Sequence, residues 1–266
     1  MTKVGFIGAG NMASAIIDGM LSKNLYLAEN IGIYDVNETA REAMKKRGVN
    51  VLCSIEQILA QYDIVFLAVK PQTYPTVLEE CAKYVPENKL FVSIAAGIST
   101  AYIQNAVGAS CCVVRAMPNT PLMLSMGATA LCCSDNTAPE QFKTVKEIFE
   151  ASGLVCELCE DKMNAVICVN GSSPAYVYLF AKAIIDGAAA QGIDNETASR
   201  LIIQTLRGSA EMLEHSGLTP DQLIKMVSSP GGTTLKALEV LYNGNFEQNI
   251  KDAMQACTDR AVELGK

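Results

Sequence analysis

Up to about residue 160 short apolar runs alternate with amphipathic stretches. The runs are Val4 to Gly8, Ile31 to Asp35, Val49 to Cys53, Asp63 to Val69, Leu90 to Ile94, Cys111 to Arg115, Ala128 to Cys132 and Leu154 to Leu158. Runs this short predict strands rather than helices. Between most of them apolar residues recur every three or four positions, as in Met12, Ile16, Ile17, Met20 and Leu21, or in Phe142, Val145, Ile148 and Phe149. That spacing turns one apolar face of a helix toward a sheet. Regular alternation of strand and helix predicts an α/β domain over residues 1–160, built on a mostly parallel, doubly wound sheet.

After Asp161 the strand signal stops. Residues 161–266 read as an all-α domain, with helices over 163–190 around a break at Pro174, then 195–214, 219–227, 233–243 and 246–264. These helices are apolar on more than one face, as Ile184, Ile185, Ala188, Ala189, Leu201, Ile202, Ile203 and Leu206 illustrate. A small isolated bundle needs one apolar stripe per helix, so the surplus predicts burial against another subunit.

Half of the 266 residues are hydrophobic and 18% are charged, which supplies a core and excludes general disorder. The net charge of −7, with no basic run beyond Lys45, Lys46 and Arg47, argues against nucleic acid as a partner. The segment Met1 to Gly8 lacks the zones of a signal peptide and no apolar run reaches the length of a membrane span, so the expected location is the cytoplasm, away from any membrane. In that setting the ten cysteines, several of them in apolar segments (Cys53, Cys111, Cys112, Cys132, Cys133, Cys168), are expected to be reduced and mostly buried.

Gly8-Ala9-Gly10-Asn11-Met12-Ala13 follows the first strand and opens the first helix, with alanine at the third glycine position of the dinucleotide fingerprint. Gly8 permits the tight turn, Gly10 lets the backbone approach a pyrophosphate, and the helix start offers free N–H groups and a positive dipole. A Rossmann-type domain that binds NADPH or NADH is the expectation. The second strand ends at Asp35, where an acid accepts hydrogen bonds from a ribose and repels a 2′-phosphate. Helix capping by Asp35 or Asn37 is the other reading, and Arg41 and Lys45 nearby leave the choice of cofactor open.

Ala68-Val69-Lys70-Pro71 and Ala95-Ala96-Gly97 lie at the carboxyl ends of strands, where open α/β sheets hold ligands. Lys70 suits a phosphate or substrate contact, or simply a solvated position before a helix-starting proline. The two-proline loop Arg115 to Pro121 offers Asn119 and Thr120 either to the cofactor or to turn hydrogen bonds. In the helical part, Asn170-Gly171-Ser172-Ser173-Pro174-Ala175-Tyr176 interrupts an apolar stretch, and Ser228-Ser229-Pro230-Gly231-Gly232-Thr233-Thr234-Leu235 links two helices. Gly231, Gly232 and Thr233 present N–H groups at a helix start, which suits a carboxylate without an arginine. Capping by Ser229 or Thr233 needs fewer glycines, so an anion site is favoured.

The only histidine, His215, ends a helix and reads as structural. No G-x-S-x-G elbow accompanies it, which removes a Ser-His-Asp triad. Cys156-Glu157-Leu158-Cys159 falls in and after a strand with no second C-x-x-C, so no metal site is expected.

Taken in order, Gly8 to Ala13, Ala68 to Pro71, Ser93 to Gly97, Met117 to Pro121, Gly171 to Tyr176 and Ser229 to Thr234 resemble the motifs of the pyrroline-5-carboxylate reductases, across nearly the whole chain. Asn170 departs from the serine usual before the Gly-Ser pair, and Gly217 stands where some members carry an acid. The resemblance implies reduction of the cyclic imine L-1-pyrroline-5-carboxylate to L-proline, the last step of proline biosynthesis. A protonated imine accepts a hydride directly, which explains a site without a histidine base. It further implies that Gly8, Gly10, Asn11, Met12, Asp35, Ala68, Val69, Lys70, Ala95, Ala96, Gly97 and Asn119 bind the cofactor. Ser229, Gly231, Gly232, Thr233 and Thr234 would then bind substrate, with the Thr234 hydroxyl on the ring nitrogen and Ser172 and Ser173 close by as catalytic groups. It implies, finally, a homodimer formed through the helical domain, dimers assembled into a ring such as a decamer, and an active site shared between subunits.

Two other functions compete. A β-hydroxyacid dehydrogenase needs a lysine in the first long helix after the domain boundary, and the nearest, Lys182, follows apolar Val177, Leu179 and Phe180 with no polar companion one turn on. A non-catalytic NAD(P)H sensor would not need intact substrate loops.

Overall fold

The computed structural model describes residues 2–86 and 89–265. Eight strands form one sheet: β1 (Val4–Ile7), β2 (Ile31–Tyr34), β3 (Asn50–Val51), β4 (Ile64–Leu67), β5 (Leu90–Ser93), β6 (Cys112–Met117), β7 (Gly127–Cys133) and β8 (Gly153–Glu157). They are ordered β3-β2-β1-β4-β5-β6-β7-β8, and every pair is parallel except β6 with β7. All eight predicted strands are present, although β3 pairs over two residues only. The helices packed on the sheet are α1 (Asn11–Ser22), α2 (Glu38–Lys46), α3 (Ile55–Gln61), α4 (Tyr74–Tyr84), α5 (Thr100–Val107) and α6 (Pro139–Glu150).

Every residue of β1, β4 and β5 is buried. Apolar clusters lie on both faces of the sheet: alternate residues Phe6, Phe66 and Val92 join the helices α1 and α6, while Ile7, Val65, Leu67 and Phe91 join α3 and α4. Continuous apolar runs, not alternating ones, are what a sheet covered on two sides requires. Phe6 and Phe66 stack across β1 and β4 with ring centroids 4.5 Å apart.

The helical region holds α7 (Ser173–Ala190), α8 (Asn195–His215), α9 (Pro220–Met226), α10 (Thr233–Asn243) and α11 (Phe246–Leu264). The chain is therefore a doubly wound, Rossmann-type α/β sheet followed by helices, as the pattern predicts. One local expectation changes: Pro174 does not break a helix running over 163–190. Residues Glu160–Lys162 and Ala165–Cys168 form short 3₁₀ turns and α7 begins at Ser173, which puts Pro174 in its first turn. There the missing N–H costs nothing, because the first N–H groups of a helix have no intrahelical acceptor.

Two compact units emerge, one of residues 1–174 and 256–266, the other of residues 175–255. In the first, a buried polar knot joins distant segments. The guanidinium of Arg115, on β6, donates to Glu160 Oε1 at 3.1 Å and Asn164 Oδ1 at 2.6 Å. Glu160 also accepts from the Thr100 backbone N–H at 3.1 Å and its hydroxyl at 2.7 Å, satisfying the start of α5.

Candidate active site

The order of the sheet reverses between β1 and β4, and in open α/β sheets the crevice beyond the strand carboxyl ends at that point receives the ligand. The loops there are Gly8–Gly10 and Ala68–Lys70. Gly8 lies at φ +101, and a Cβ on it would come 2.5 Å from the Ala68 carbonyl oxygen. Only glycine fits so close an approach in that conformation. Backbone hydrogen bonds then fix the loop: Gly8 N–H donates to Tyr34 O at 2.8 Å and Ala68 N–H to Ile7 O at 2.8 Å. Gly10, which caps α1, has no atom within 4 Å of where its Cβ would stand. Open space before a helix start with no side-chain cap is the room a pyrophosphate needs, so the chain's own backbone fits a dinucleotide.

Asn11 and Met12 open α1 behind this loop. Asp35, just after β2, spends both carboxylate oxygens on backbone, accepting from Ala9 N–H at 2.7 Å and Asn37 N–H at 2.7 Å. Asp35 thus braces the fingerprint loop and does not cap the helix that follows. Asn37, not Asp35, caps α2 through Ala40 N–H. Arg41 donates to the carbonyls of Asp35 and Val36 at 3.0 and 3.3 Å.

Farther along the same strand ends lie Ala95, Ala96 and Gly97, with Gly97 at φ +83. Tyr74 lies beneath. Its hydroxyl joins β4 to β5 by donating to Leu67 O at 2.8 Å and sharing a 2.9 Å hydrogen bond with Ser93 Oγ. Burial pushes the phenol well above its ordinary pKa, so it stays protonated as a structural donor. Sequence reasoning missed Tyr74; its only signal was a place on the apolar face of α4 with Val77, Leu78 and Cys81. Lys70 is exposed.

Asn119 is 8% exposed and its amide serves the protein's own backbone, donating to Asn170 O at 3.1 Å and accepting from Ala128 N–H at 2.9 Å. Asn170 answers by donating to Met117 O at 2.7 Å and Ala128 O at 2.8 Å. The asparagine at the place usual for serine thus ties β6 and β7 to the loop that precedes α7. Ser172 shares a 3.3 Å contact with the Cys257 thiol, and Ser173 donates to Val169 O at 2.5 Å. These two serines belong to the same compact unit as the fingerprint loop.

The remaining candidate residues lie in the second unit. Gly232 caps α10 with no side-chain cap bond, so neither Ser229 nor Thr233 plays that part. Its own N–H closes the turn on Ser229 O at 2.9 Å, and Gly231 takes φ +69. Thr233 and Thr234 then form the first turn of α10, where backbone N–H groups lack intrahelical acceptors.

All ten cysteines are free thiols. Burial and nearby Glu80 push Cys81 up to about 12, and burial with Glu160 does the same for Cys132, so both stay protonated. Cys53, Cys156 and Cys159 are exposed, against the expectation for Cys53, because the segment after β3 leaves the sheet after two residues. Among the described residues no cluster of three or more His, Cys, Asp or Glu suits a metal ion, and no helix is long and apolar enough to cross a membrane. His215, exposed at the end of α8, pairs with Glu211 at 3.4 Å. Lys182 does have a polar companion one turn on, contrary to expectation: it is ion-paired with Asp186 on the surface of α7.

A family model described as pyrroline-5-carboxylate reductase dimerisation matches residues 160–264, and one described as NADP oxidoreductase coenzyme F420-dependent matches residues 3–97. The chain is 36% identical to the pyrroline-5-carboxylate reductase of Methanosarcina acetivorans, over 99% of this chain and 98% of that one. It is 35% identical to the Escherichia coli (strain K12) reductase at the same coverage. A crystal structure of the Plasmodium falciparum pyrroline carboxylate reductase with NADP bound superposes with a TM-score of 0.92 at 31% identity, over 100% of this chain and 98% of that one. With identities above 30% along the full length, the chain belongs to the pyrroline-5-carboxylate reductase family.

Proposed function

We propose that this protein reduces L-1-pyrroline-5-carboxylate to L-proline with NADPH or NADH. The observation that carries the reading is full-length similarity to reductases of that name, in a chain whose glycine loop leaves open space at the switch point of its sheet. When bound, the reduced nicotinamide supplies the hydride that the iminium carbon accepts. The chain contributes placement and charge. Gly8, its own N–H held by Tyr34 O, makes the turn that lets Gly10, Asn11 and Met12 hold the pyrophosphate on backbone N–H groups. Ala68, Val69 and Lys70 flank it, and Ala95, Ala96 and Gly97 form the small-residue edge for the nicotinamide. Asn119 holds the neighbouring loop in shape through its bonds to Ala128 and Asn170.

On the substrate side, Ser229 and Gly231 shape the turn, and Gly232 spends its N–H on Ser229 O rather than on a ligand as the sequence suggested. The first turn of α10 from Thr233 offers its N–H groups to the carboxylate, where the positive end of the dipole meets a negative group. The Thr234 hydroxyl hydrogen-bonds the ring nitrogen, whose positive charge disappears as the carbon–nitrogen double bond becomes single. Ser172 and Ser173, on the unit that carries the glycine loop, are the further hydroxyls this reading assigns to catalysis. No strong base is needed, because the electrophile is already protonated.

Residues 1–160 thereby serve the cofactor and 161–266 the substrate and the subunit contacts. The dimerisation family model supports a homodimer formed through the helices, and a ring of dimers such as a decamer, in the cytoplasm, completes the reading. Light scattering at micromolar concentration tests the assembly: a monomer would contradict it.

The decisive assay is the absorbance decrease of NADPH and of NADH when the imine is added to purified protein. Oxidation that depends on the imine is expected, and none with either cofactor would refute the reading. The ratio of the two rates reports how strongly Asp35 repels a 2′-phosphate. Thr234→Ala is expected to lower kcat about tenfold to a hundredfold, the worth of one hydrogen bond to a charged group, with unchanged thermal stability and cofactor affinity.

A further inference from the structure

The C-terminal helix ends on the backbone of the nicotinamide loop. A Cβ on Gly97 would come 2.4 Å from the Ala261 carbonyl oxygen, and a Cβ on Gly265 would come 2.3 Å from the Gly97 carbonyl oxygen. Two segments far apart in sequence thus meet glycine to backbone from both directions, at distances that no side chain tolerates. Four residues before Ala261, Cys257 touches Ser172 across 3.3 Å. Cys257 and Ala261 lie on one face of α11, and Ala261 is 3% exposed. Residues 256–266 belong to the compact unit of the sheet, not to the helices that precede them in the chain.

We propose that the end of α11, from Cys257 to Gly265, is a positioning element for the cofactor. Backbone contact at Gly97 sets the height of the Ala95–Gly97 edge, and contact at Cys257 sets Ser172 relative to it. Tyr74 holds the strand ends from below through Leu67 and Ser93, so the loop is held from two sides. A side chain at residue 265 forces the helix end and the loop apart and tilts the nicotinamide away from the hydride-accepting carbon. The inference rests on the proposed reading of Ala95–Gly97 as the nicotinamide edge.

Gly265→Val in the full-length assembled enzyme tests it, with Gly265→Ala as the gentler variant should valine hinder folding. The expected result is a rise of about fivefold or more in the KM for the preferred cofactor and a fall in kcat, since small misplacements of reacting atoms are costly. The KM for the imine stays near that of the parent, and the change in cofactor KM persists at temperatures well below the melting temperature of the variant, which the backbone clash lowers. A merely structural contact would lower the melting temperature and leave the cofactor KM of the folded enzyme unchanged; that outcome, or no change in either variant, overturns the proposal. Gly10→Val separates this from the underlying reading, because its β-carbon enters open space on the side where the cofactor is proposed to bind. If Gly10→Val weakens cofactor binding while the Gly265 variants do not, the positioning role alone falls. If Gly10→Val also has no effect, the nucleotide site is misread and the proposal falls with it.

Discussion

The sheet unit and the helical unit spend similar apolar composition in opposite ways. In the first, β1, β4 and β5 have no exposed residue, and helices from the same chain cover both faces. In the second, α7, α9 and α10 contain no buried residue among those described, and α8 contains only Ala198 and Ile202. Tyr178, Leu179, Leu201 and Val240 are 62%, 68%, 62% and 71% exposed. A parallel sheet encloses its own core because each crossover brings back a helix. The helices from α7 to α10 have no such cover, and each large side chain left in water forgoes about 1.5–3 kcal/mol of burial. One unit encloses its core within the chain, whereas the other falls in the region that a dimerisation family model matches.

Breaking that contrast should give the largest effect on the helical side. Leu201→Asp combined with Ile203→Asp introduces charges where a partner is expected to pack, and an obligate apolar interface does not accommodate unpaired charge. Light scattering should show loss of the dimer, and activity should fall with it; an intact active dimer would place the interface elsewhere. Next comes the sheet core. Phe66→Ala removes a fully buried ring stacked on Phe6 and should cost about 3–5 kcal/mol in denaturant unfolding. The smallest effect sharpens the distinction: Val36 is 82% exposed, but on the sheet unit, beside α2. Val36→Asp should change stability by less than about 0.5 kcal/mol and leave the oligomer intact, since isolated exposed apolar residues there await no partner.

Much of the geometry of the candidate site was legible because its turns are local. Gly8 and Gly10 announce a turn and an approach within six residues, and Gly231 and Gly232 announce a helix start that no side chain caps. The hidden parts are those whose partners lie far along the chain. Tyr74 looks like any apolar-face residue of α4 until Ser93 is placed beside it. Asn170 looks like a departure from the family pattern until Met117 and Ala128 arrive as its acceptors. Lys182 illustrates the reverse, a one-turn partner in Asp186 that sequence spacing alone made available.

By itself the sequence determined the number of strands and their succession along the chain, the end of the strand pattern near residue 160, and the two glycine-rich loops proposed to hold the ligands. These follow from side-chain periodicity and from backbone conformations that only glycine or proline adopts, both of which act over a few residues. The tertiary structure decided the rest: the reversal between β1 and β4 that makes a crevice, the Arg115–Glu160 knot, and the return of α11 to rest on Gly97. Such contacts depend on chain segments dozens of residues apart being held by the whole packed core, and no local pattern encodes that distance.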